Sequence, residues 1–402
     1  MLWTVHLDGG PQRVNHAAVG VGDFIYSFGG YCTGDDYRFN EPIDVHVLNV
    51  HSMRWTLVPQ QCDSDGDPLK YPLVPFQRYG HTVVAHKERI YIWGGRNDEH
   101  LCNVLYCFDP KTARWTRPAV SGCLPGARDG HSACVIGNCM YIFGGFVDEI
   151  NEFSSDVHAL NLETMEWRYV QTFGVPPTYR DFHAAVAYEE ERMYIFGGRG
   201  DKHSPYHSQE ETYCHEIVYL DMKSKVWHRP FTAGKVPVGR RSHSMFVHNK
   251  LIFVFGGYNG LLDQHFNDLY TFDPRTKLWN LVRANGQAPT ARRRQCAIVM
   301  GTRMFLFGGT SPRCSTPQMH QSASASRATD ATPPSAAASA VTTLIDYSDL
   351  HVLDFEPTLK TLATMVVLKH QLDISGLPRS FRADLNMLTQ PNSITRPINQ
   401  AG

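Results

Sequence analysis

Apolar runs of strand length recur along the chain, and a pair of glycines closes each of them. Each run is four residues long and rich in aromatic and β-branched side chains, as at 90–93 and 193–196. That composition in so short a run favours a buried strand over a helix. The six pairs are Gly29-Gly30, Gly94-Gly95, Gly144-Gly145, Gly197-Gly198, Gly256-Gly257 and Gly308-Gly309, spaced by 50 to 65 residues. The pattern predicts six copies of one structural unit.

Other features recur in phase with the glycine pairs. An Arg-x-x-His segment precedes each run, except that the sixth copy reads Arg292-x-x-Gln295. A third strand follows each pair, and in five units a fourth strand carries a tryptophan, such as Trp167 or Trp279. Four strands in a unit of about fifty residues are typical of a propeller blade. On these motifs the chain resembles the kelch-repeat family, which implies an all-β propeller over residues 1–356.

The sixth unit lacks a tryptophan strand of its own after residues 349–353, whereas an unassigned strand, residues 3–7, carries Trp3. Pairing of these two strands would close the ring and remove both open sheet edges. We therefore predict a six-bladed propeller closed by its N-terminal strand. An insert at 311–345 interrupts blade six, and its centre, 322–340, consists mostly of Ala, Ser, Thr and Pro. This composition predicts disorder.

The pattern changes to a helical one after the propeller. Apolar residues fall at 359, 362, 363, 366 and 367, which is one face of a helix. The alternative is the missing fourth strand of blade six, since Thr and Val suit strands. Because the N-terminal strand already fills that place, a helix is favoured. We predict a short α-helical segment at 357–388, with a second helix after Pro378, and a flexible tail at 389–402.

The helical segment resembles the two-part box of cullin-2 substrate receptors. The resemblance implies that elongin B/C and cullin-2, with a RING subunit, are partners, and that an apolar helix face enters a groove of the partner. Ala363 departs from the cysteine that the family usually has at that position. The alternative is a pair of helices that only caps the propeller. The matching residues are Leu359, Ala363 and Val367 for elongin, and Leu377, Pro378, Phe381 and Leu385 for cullin-2.

The propeller and the box together resemble kelch-repeat receptors of cullin-2 ubiquitin ligases that recognise C-terminal glycine degrons. The stretches that carry this resemblance are 91–97, 125–132, 239–243 and 292–295. It implies a non-catalytic subunit that binds Arg-Gly, Lys-Gly or Gln-Gly ends and promotes ubiquitination and proteasomal degradation. The alternative is a kelch scaffold for chromatin, meiotic or cytoskeletal partners without ligase activity. Co-purification of elongins B and C distinguishes the two.

Charge restricts where a ligand can bind. The chain has 38 Lys+Arg and 39 Asp+Glu, a formal net charge of −1, so no bulk attraction to nucleic acid or membrane is expected. The repeated arginines precede the strands that line a propeller channel, and guanidinium groups bind carboxylates bidentately. We predict that the degron carboxylate is held by Arg240, Arg241, Arg292 and Arg294. The alternative is that the repeated arginines tie neighbouring blades together.

Asp129 and Asp181 each follow a repeated arginine. We predict that they bind a basic penultimate residue of the degron, and the alternative is that they pair with the adjacent arginines.

The remaining features add little chemistry. Ten cysteines without a secretory signal predict reduced thiols and a cytoplasmic location, with the nucleus left open. There is no C-x-x-C, and the five histidines in register are expected in the core, so neither a metal nor a cofactor is predicted. The terminal Ala401-Gly402 could enter the pocket of its own chain or of a second copy, and the alternative is a frayed terminus.

Overall fold

Six sheets surround a central channel in the computed structural model, which describes residues 1–64, 67, 69–208, 210–313 and 343–396. Each has four antiparallel strands, and three carry a fifth, parallel edge strand. The six-bladed propeller is therefore confirmed, and two helices follow it. Blades one to five lie within residues 17–57, 79–116, 132–169, 184–228 and 244–282. Within the described part of the chain no helix is long and apolar enough to cross a membrane.

The strands of the N-terminal half are β1 (Leu2–Leu7), β2 (Ala17–Val21), β3 (Phe24–Phe28), β4 (Val45–Asn49), β5 (Arg54–Leu57), β6 (Tyr79–His86), β7 (Arg89–Arg96), β8 (Tyr106–Asp109), β9 (Arg114–Thr116), β10 (Ser121–Gly122), β11 (Ser132–Ile136), β12 (Cys139–Phe143), β13 (Phe146–Val147), β14 (Glu152–Phe153), β15 (Val157–Asn161), β16 (Glu166–Tyr169), β17 (Ala184–Tyr188) and β18 (Arg192–Phe196). Those that follow are β19 (Arg199–Asp201), β20 (Glu211–Tyr213), β21 (Ile217–Asp221), β22 (Trp227–His228), β23 (Ala233–Gly234), β24 (Ser244–His248), β25 (Leu251–Phe255), β26 (Tyr258–Asn259), β27 (Gln264–His265), β28 (Leu269–Asp273), β29 (Leu278–Val282), β30 (Asn285–Gly286), β31 (Cys296–Met300), β32 (Arg303–Phe307), β33 (Thr310–Pro312), β34 (Leu344–Asp346) and β35 (Leu350–Asp354). The helices are α1 (Leu359–His370) and α2 (Arg379–Thr389).

Blade six is completed by the first strand of the chain, as predicted. Strand β1 pairs antiparallel with β35, with Leu7 opposite Leu350, so the blade order is β1-β35-β32-β31. Trp3 is 3% exposed and packs in the core beside blade five. Burial of this tryptophan and of the strand's backbone groups ties the two ends of the propeller together.

The C-terminal tail is docked as far as residue 396. The N–H of Leu57 donates to the carbonyl of Thr395 (2.9 Å), and Thr395 N–H donates to the carbonyl of Trp55 (3.2 Å). Ile394 packs against the core cluster shared by blades one and six. In blade three the linker between blades occupies the equivalent edge position, where β10 pairs with β16. The flexible tail predicted from residue 389 was therefore wrong for these residues, while Ala401 and Gly402 lie outside the described residues.

The two ends of the insert in blade six are ordered. Strand β33 pairs with β34, with Ser311 opposite Ile345. The predicted disordered range of 311–345 was therefore too wide at both ends, and residues 314–342 lie outside the described part of the chain.

A closed ring of backbone hydrogen bonds surrounds the channel. One residue per blade donates its N–H to the equivalent carbonyl of the preceding blade over 2.7 to 3.2 Å. All six have positive φ, between 47° and 67°. This left-handed conformation is costly for residues with a side chain, so ring closure imposes it on the four that are not glycine. The six are Asn15, Gly80, Gly130, Phe182, Ser242 and Arg294.

The repeated histidines explain the glycine pairs. A Cβ on Gly94, which has φ +72°, would lie 2.4 Å from Cε1 of His131 in the next blade. His131 is 5% exposed, and its Nε2 shares a hydrogen bond with the Thr82 hydroxyl (2.8 Å). The histidine thus packs between blades, in the space that the missing side chain leaves.

The repeated arginines stabilise the blades through buried hydrogen bonds and ion pairs. Arg240 is fully buried, donates to the carbonyls of Val238 and Gly256 (both 3.0 Å) and pairs with Asp268. Arg292 is also fully buried and donates to both carboxylate oxygens of Asp349 (2.6 and 2.8 Å). The prediction that Arg240 and Arg292 bind a ligand carboxylate was wrong, because their donors are already used inside the blades.

The two C-terminal segments are helices rather than strands, as predicted. The Thr358 hydroxyl accepts a hydrogen bond from the N–H of Thr361 (3.1 Å) and caps α1. Pro378 stands directly before α2.

Replacement of Arg292 by alanine should lower the free energy of unfolding by about 3–5 kcal/mol, because it leaves the buried Asp349 carboxylate without its arginine partner. Chemical denaturation measures the change. Arg275→Ala is the control, since that side chain is 85% exposed. A similar small effect for both variants would contradict the structural role of Arg292.

Candidate functional site

A cavity of about 540 Å³ opens at the channel mouth. Two sets of residues from the repeat build it. The residue after each repeated arginine forms a β-bridge with the residue after the glycine pair of the same blade, as in Asp181–Arg199 and Arg241–Tyr258. Because consecutive residues of an extended chain point to opposite sides, the repeated arginine of blades two to six is buried, and the next residue lines the cavity at Tyr79, Asp129 and Arg241.

Arg241 and Arg294, from neighbouring blades, line this cavity, and Arg293 lies close enough to both for their charges to act on it. The Nη1 of Arg241 donates to Oε1 of Glu211 (3.2 Å). The Arg293 guanidinium lies 4.5 Å from the centre of the Tyr258 ring. Arg294 donates to the Tyr31 hydroxyl. The side chains described here provide no carboxylate partner for Arg293 or Arg294, and the Nε of each is buried without a hydrogen bond.

Positive charge in this cluster is therefore incompletely balanced. Burial and, next, the charges of Arg294 and Arg241 lower the pKa of Arg293 to about 10. Burial lowers the pKa of the neighbouring His265 to about 4, with the charge of Arg293 as the next cause. An anion bound here would relieve the repulsion and supply acceptors for the unused donors.

Asp181 is engaged within the protein. It is 1% exposed, and both of its oxygens accept hydrogen bonds from Arg199, including one of 3.0 Å from Nε. Burial raises the pKa of this carboxyl, although the charge of Arg199 opposes the rise. The adjacent Arg180 bonds instead to the carbonyls of Thr178 and Gly197. Asp181 is therefore the partner of Arg199. Its geometry favours neither the predicted contact with a ligand nor the alternative, pairing with Arg180.

Asp129 lies on the cavity wall and is 7% exposed. Burial raises the pKa of its carboxyl to about 7, and the negative charge of Asp181 contributes to the rise. Within the described ranges its side chain has no hydrogen-bond partner. Of the two predicted aspartates, Asp129 is therefore the one available to a basic ligand group.

Arg241 and Arg294 are the predicted arginines that line the cavity. Other lining residues were missed, although their register follows from the repeat. The positions after the glycine pairs carry Tyr31, Arg96 and Arg199, and the position after the second repeated arginine carries Tyr79. Alignment of the six copies by these two positions would have found them.

The outer face of α1 is apolar and exposed. Leu359 is 83% exposed, Leu362 43% and Val366 51%, whereas Thr364 on the opposite side is buried. Ala363 is exposed and Val367 half-buried, so the predicted elongin-binding residues share an accessible helix face.

The predicted cullin-2 half of the box is less accessible. Leu377 and Phe381 are half-buried, and the Lys360 ammonium lies 5.7 Å from the Phe381 ring. Leu385 is 2% exposed on the helix that contacts β1. The expectation that Leu385 contacts a partner was wrong for this arrangement, because its side chain packs inside the protein.

Comparison with known proteins agrees with the repeat geometry. Residues 15–203 and 80–309 match the KLHDC2/KLHL20/DRC7 Kelch-repeats domain. The chain belongs to the kelch-repeat family. It is 46% identical to Kelch domain-containing protein 3 of Homo sapiens over 405 residues, covering 99% of this chain and 98% of the relative, and equally identical to that of Bos taurus over 399 residues. Host cell factor 2 of Homo sapiens is 30% identical over 253 residues, 60% of this chain and 31% of the relative.

The stability of this kelch propeller should depend on pH through Asp129. Its folded-state pKa of about 7 exceeds the ordinary value of 3.8, so its stabilising contribution is complete below pH 4 and is lost as pH rises through 7. An amide at this position cannot titrate. The stability of Asp129→Asn relative to the native protein should therefore increase between pH 5 and pH 8, as measured by chemical denaturation. Glu149→Gln, an exposed change in the same blade, is the control, and a difference independent of pH would contradict the assignment.

Proposed function

We propose that this kelch protein is the non-catalytic substrate receptor of a cullin-2 RING ubiquitin ligase and binds proteins that end in glycine. Binding would promote their ubiquitination and degradation by the proteasome, in the cytoplasm or the nucleus. The observation that carries the proposal is the cluster of Arg241, Arg293 and Arg294 at the channel mouth, which has more guanidinium groups than carboxylates to pair with them. The resemblance to glycine-degron receptors supplies the class of ligand.

A C-terminal carboxylate fits the chemistry of this cluster. Its two oxygens can accept the parallel N–H donors of one guanidinium, and its negative charge is favoured among several arginines in a partly buried site. An internal peptide bond offers a neutral carbonyl in place of this charge. The cluster therefore selects chain ends over chain interiors.

The surroundings of Arg294 favour glycine beside that carboxylate. The rings of Phe182 and Tyr31 lie 5.7 and 5.8 Å from the Arg294 guanidinium carbon. A side chain on the terminal residue would compete with these rings for space, and glycine has none.

The penultimate residue would lie near Asp129. A lysine or arginine there would favour the ionised carboxylate and lower its pKa, because opposite charges stabilise each other. Asp181 does not take this role, because both of its carboxylate oxygens already accept hydrogen bonds from Arg199.

The outer face of α1 is the proposed docking surface for elongin B/C. Leu359, Leu362 and Val366 present exposed apolar side chains at helical spacing, which suits insertion into a groove of the partner. Ala363 reduces the apolar surface relative to the cysteine of the family. The other predicted partners, cullin-2 and a RING subunit, would join through the same segment.

Arg294→Gln should weaken binding of a fluorescent peptide ending in Arg-Gly at least about tenfold, since a hydrogen bond to a charged group contributes about 1.5–3 kcal/mol. Fluorescence polarisation measures the affinity, and Arg241→Gln should act in the same direction. The melting temperature should change little, because neither side chain is fully buried. Arg275→Ala is the matched control. Native affinity in both glutamine variants would exclude the cluster as the binding site.

Leu359→Asp should abolish co-purification of elongins B and C without lowering the melting temperature, because the side chain is 83% exposed. Leu372→Asp is a control, since Leu372 is 50% exposed but is not one of the residues that match the box. Leu385→Ala should instead lower the free energy of unfolding by about 2–5 kcal/mol. If the native protein does not retain elongins, or if Leu359→Asp retains them equally well, the ligase assignment fails and a scaffold role is favoured.

A further inference from the structure

Two histidines and two aspartates meet where β1 closes blade six. His6 on β1 lies opposite His351 on β35, with their rings stacked 4.3 Å apart. The Nε2 atoms of His6 and His351 lie 3.7 and 3.0 Å from Oδ2 of Asp349. The Nε2 of His6 also lies 3.7 Å from Oδ1 of Asp8.

These separations are close to those of a metal centre. Zinc binds imidazole nitrogen and carboxylate oxygen at about 2.0–2.2 Å, so neighbouring ligands of a tetrahedral ion lie about 3.3–3.5 Å apart. The ligand atoms of His6, Asp349 and His351 all lie within 4.8 Å of one another. The rings of His6 and His351 are stacked, so His6, which is 35% exposed, would have to rotate for both imidazoles to face one ion.

The repeat explains only half of this cluster. Blades one and three contain the same Asp-x-His segment at Asp44 and Asp156, and each aspartate pairs with the repeated arginine of its blade, as Asp349 does with Arg292. The residues opposite the two corresponding histidines are Leu57 and Tyr169, neither of which offers an imidazole or carboxylate ligand. Blade six has His6 at this position and Asp8 two residues later. The structural role of the repeat gives no reason for this second pair.

We propose that His6, Asp8, Asp349 and His351 form a zinc site that joins the N-terminal strand to blade six. Two imidazoles and two carboxylates are a ligand set that suits Zn²⁺. Arg292 holds the Asp349 carboxylate in place, as outer-sphere partners of metal ligands do. Asp8, 75% exposed, lies on the solvent side and leaves an entry path.

Zinc binding would change the proton arrangement at His351. Its Nε2 is the atom that lies beside Asp349, and its Nδ1 has no hydrogen bond to any described residue. Because a carboxylate only accepts, Nε2 carries the proton in this contact, and as a zinc ligand His351 would carry it on Nδ1 instead, leaving the Nε2 lone pair for the ion. The bound ion would replace the hydrogen bond between His351 and Asp349.

The test is titration of the chelator-treated full chain with ZnCl₂, by calorimetry and by thermal melting. The native protein should bind one more zinc ion than His6→Phe, which preserves the ring stack but removes a ligand. Zinc should raise the melting temperature of the native protein and not that of His6→Phe, because the site connects two strands that separate on unfolding.

Two further variants separate this site from other zinc ligands. Asp8→Asn changes a residue that is 75% exposed and should weaken zinc binding without affecting folding. His51→Ala removes a histidine that is 67% exposed and lies outside the cluster, and should bind zinc like the native protein. Exposed Cys62 and Cys123 can also bind zinc, and that binding would persist in every variant. Equal stoichiometry and equal melting shifts in the native protein, His6→Phe and Asp8→Asn would overturn the proposal.

Discussion

Closure of six blades into a ring requires contacts between each blade and the next around the central channel. In this propeller that requirement is met by six backbone hydrogen bonds around the axis, each made by a residue of positive φ. The same turn fixes which residues face the channel mouth. Where the position holds Phe182 or Arg294 rather than glycine, a side chain is projected into the cavity that closure creates. The candidate site is thus a consequence of how the ring is closed.

The alternation of the extended chain then separates two kinds of arginine. Arg240 is fully buried and holds Asp268, whereas Arg241 is the next residue and lines the cavity. The first stabilises the blade, and the second is available for a ligand. Blade six repeats this division, with Arg292 buried and Arg294 lining the cavity. Because a buried arginine already uses its donors, only the additional arginines create the excess of positive charge that an anion can neutralise.

Periodicity was sufficient to predict the blades and their closure. The Gly-Gly pairs and the tryptophan strands recur in phase along the chain. The unassigned strand around Trp3 matches the one unit that lacks a tryptophan strand of its own. The site was harder to predict, because burial and pairing depend on neighbours that are distant in sequence. Asp181, for example, lies beside Arg180 in sequence but pairs with Arg199 across a β-bridge. The docked tail was missed for a similar reason, since the strand partner of Thr395 is 339 residues away.

The central claim is that the arginine cluster captures a terminal carboxylate. Calorimetric titration with a peptide that ends in Arg-Gly and with its C-terminally amidated twin tests it most directly. The two ligands differ only in the charge and the acceptor oxygens that Arg241, Arg293 and Arg294 would bind. The account predicts binding of the free acid and at least about a tenfold loss on amidation. Equal affinity for both peptides would contradict it.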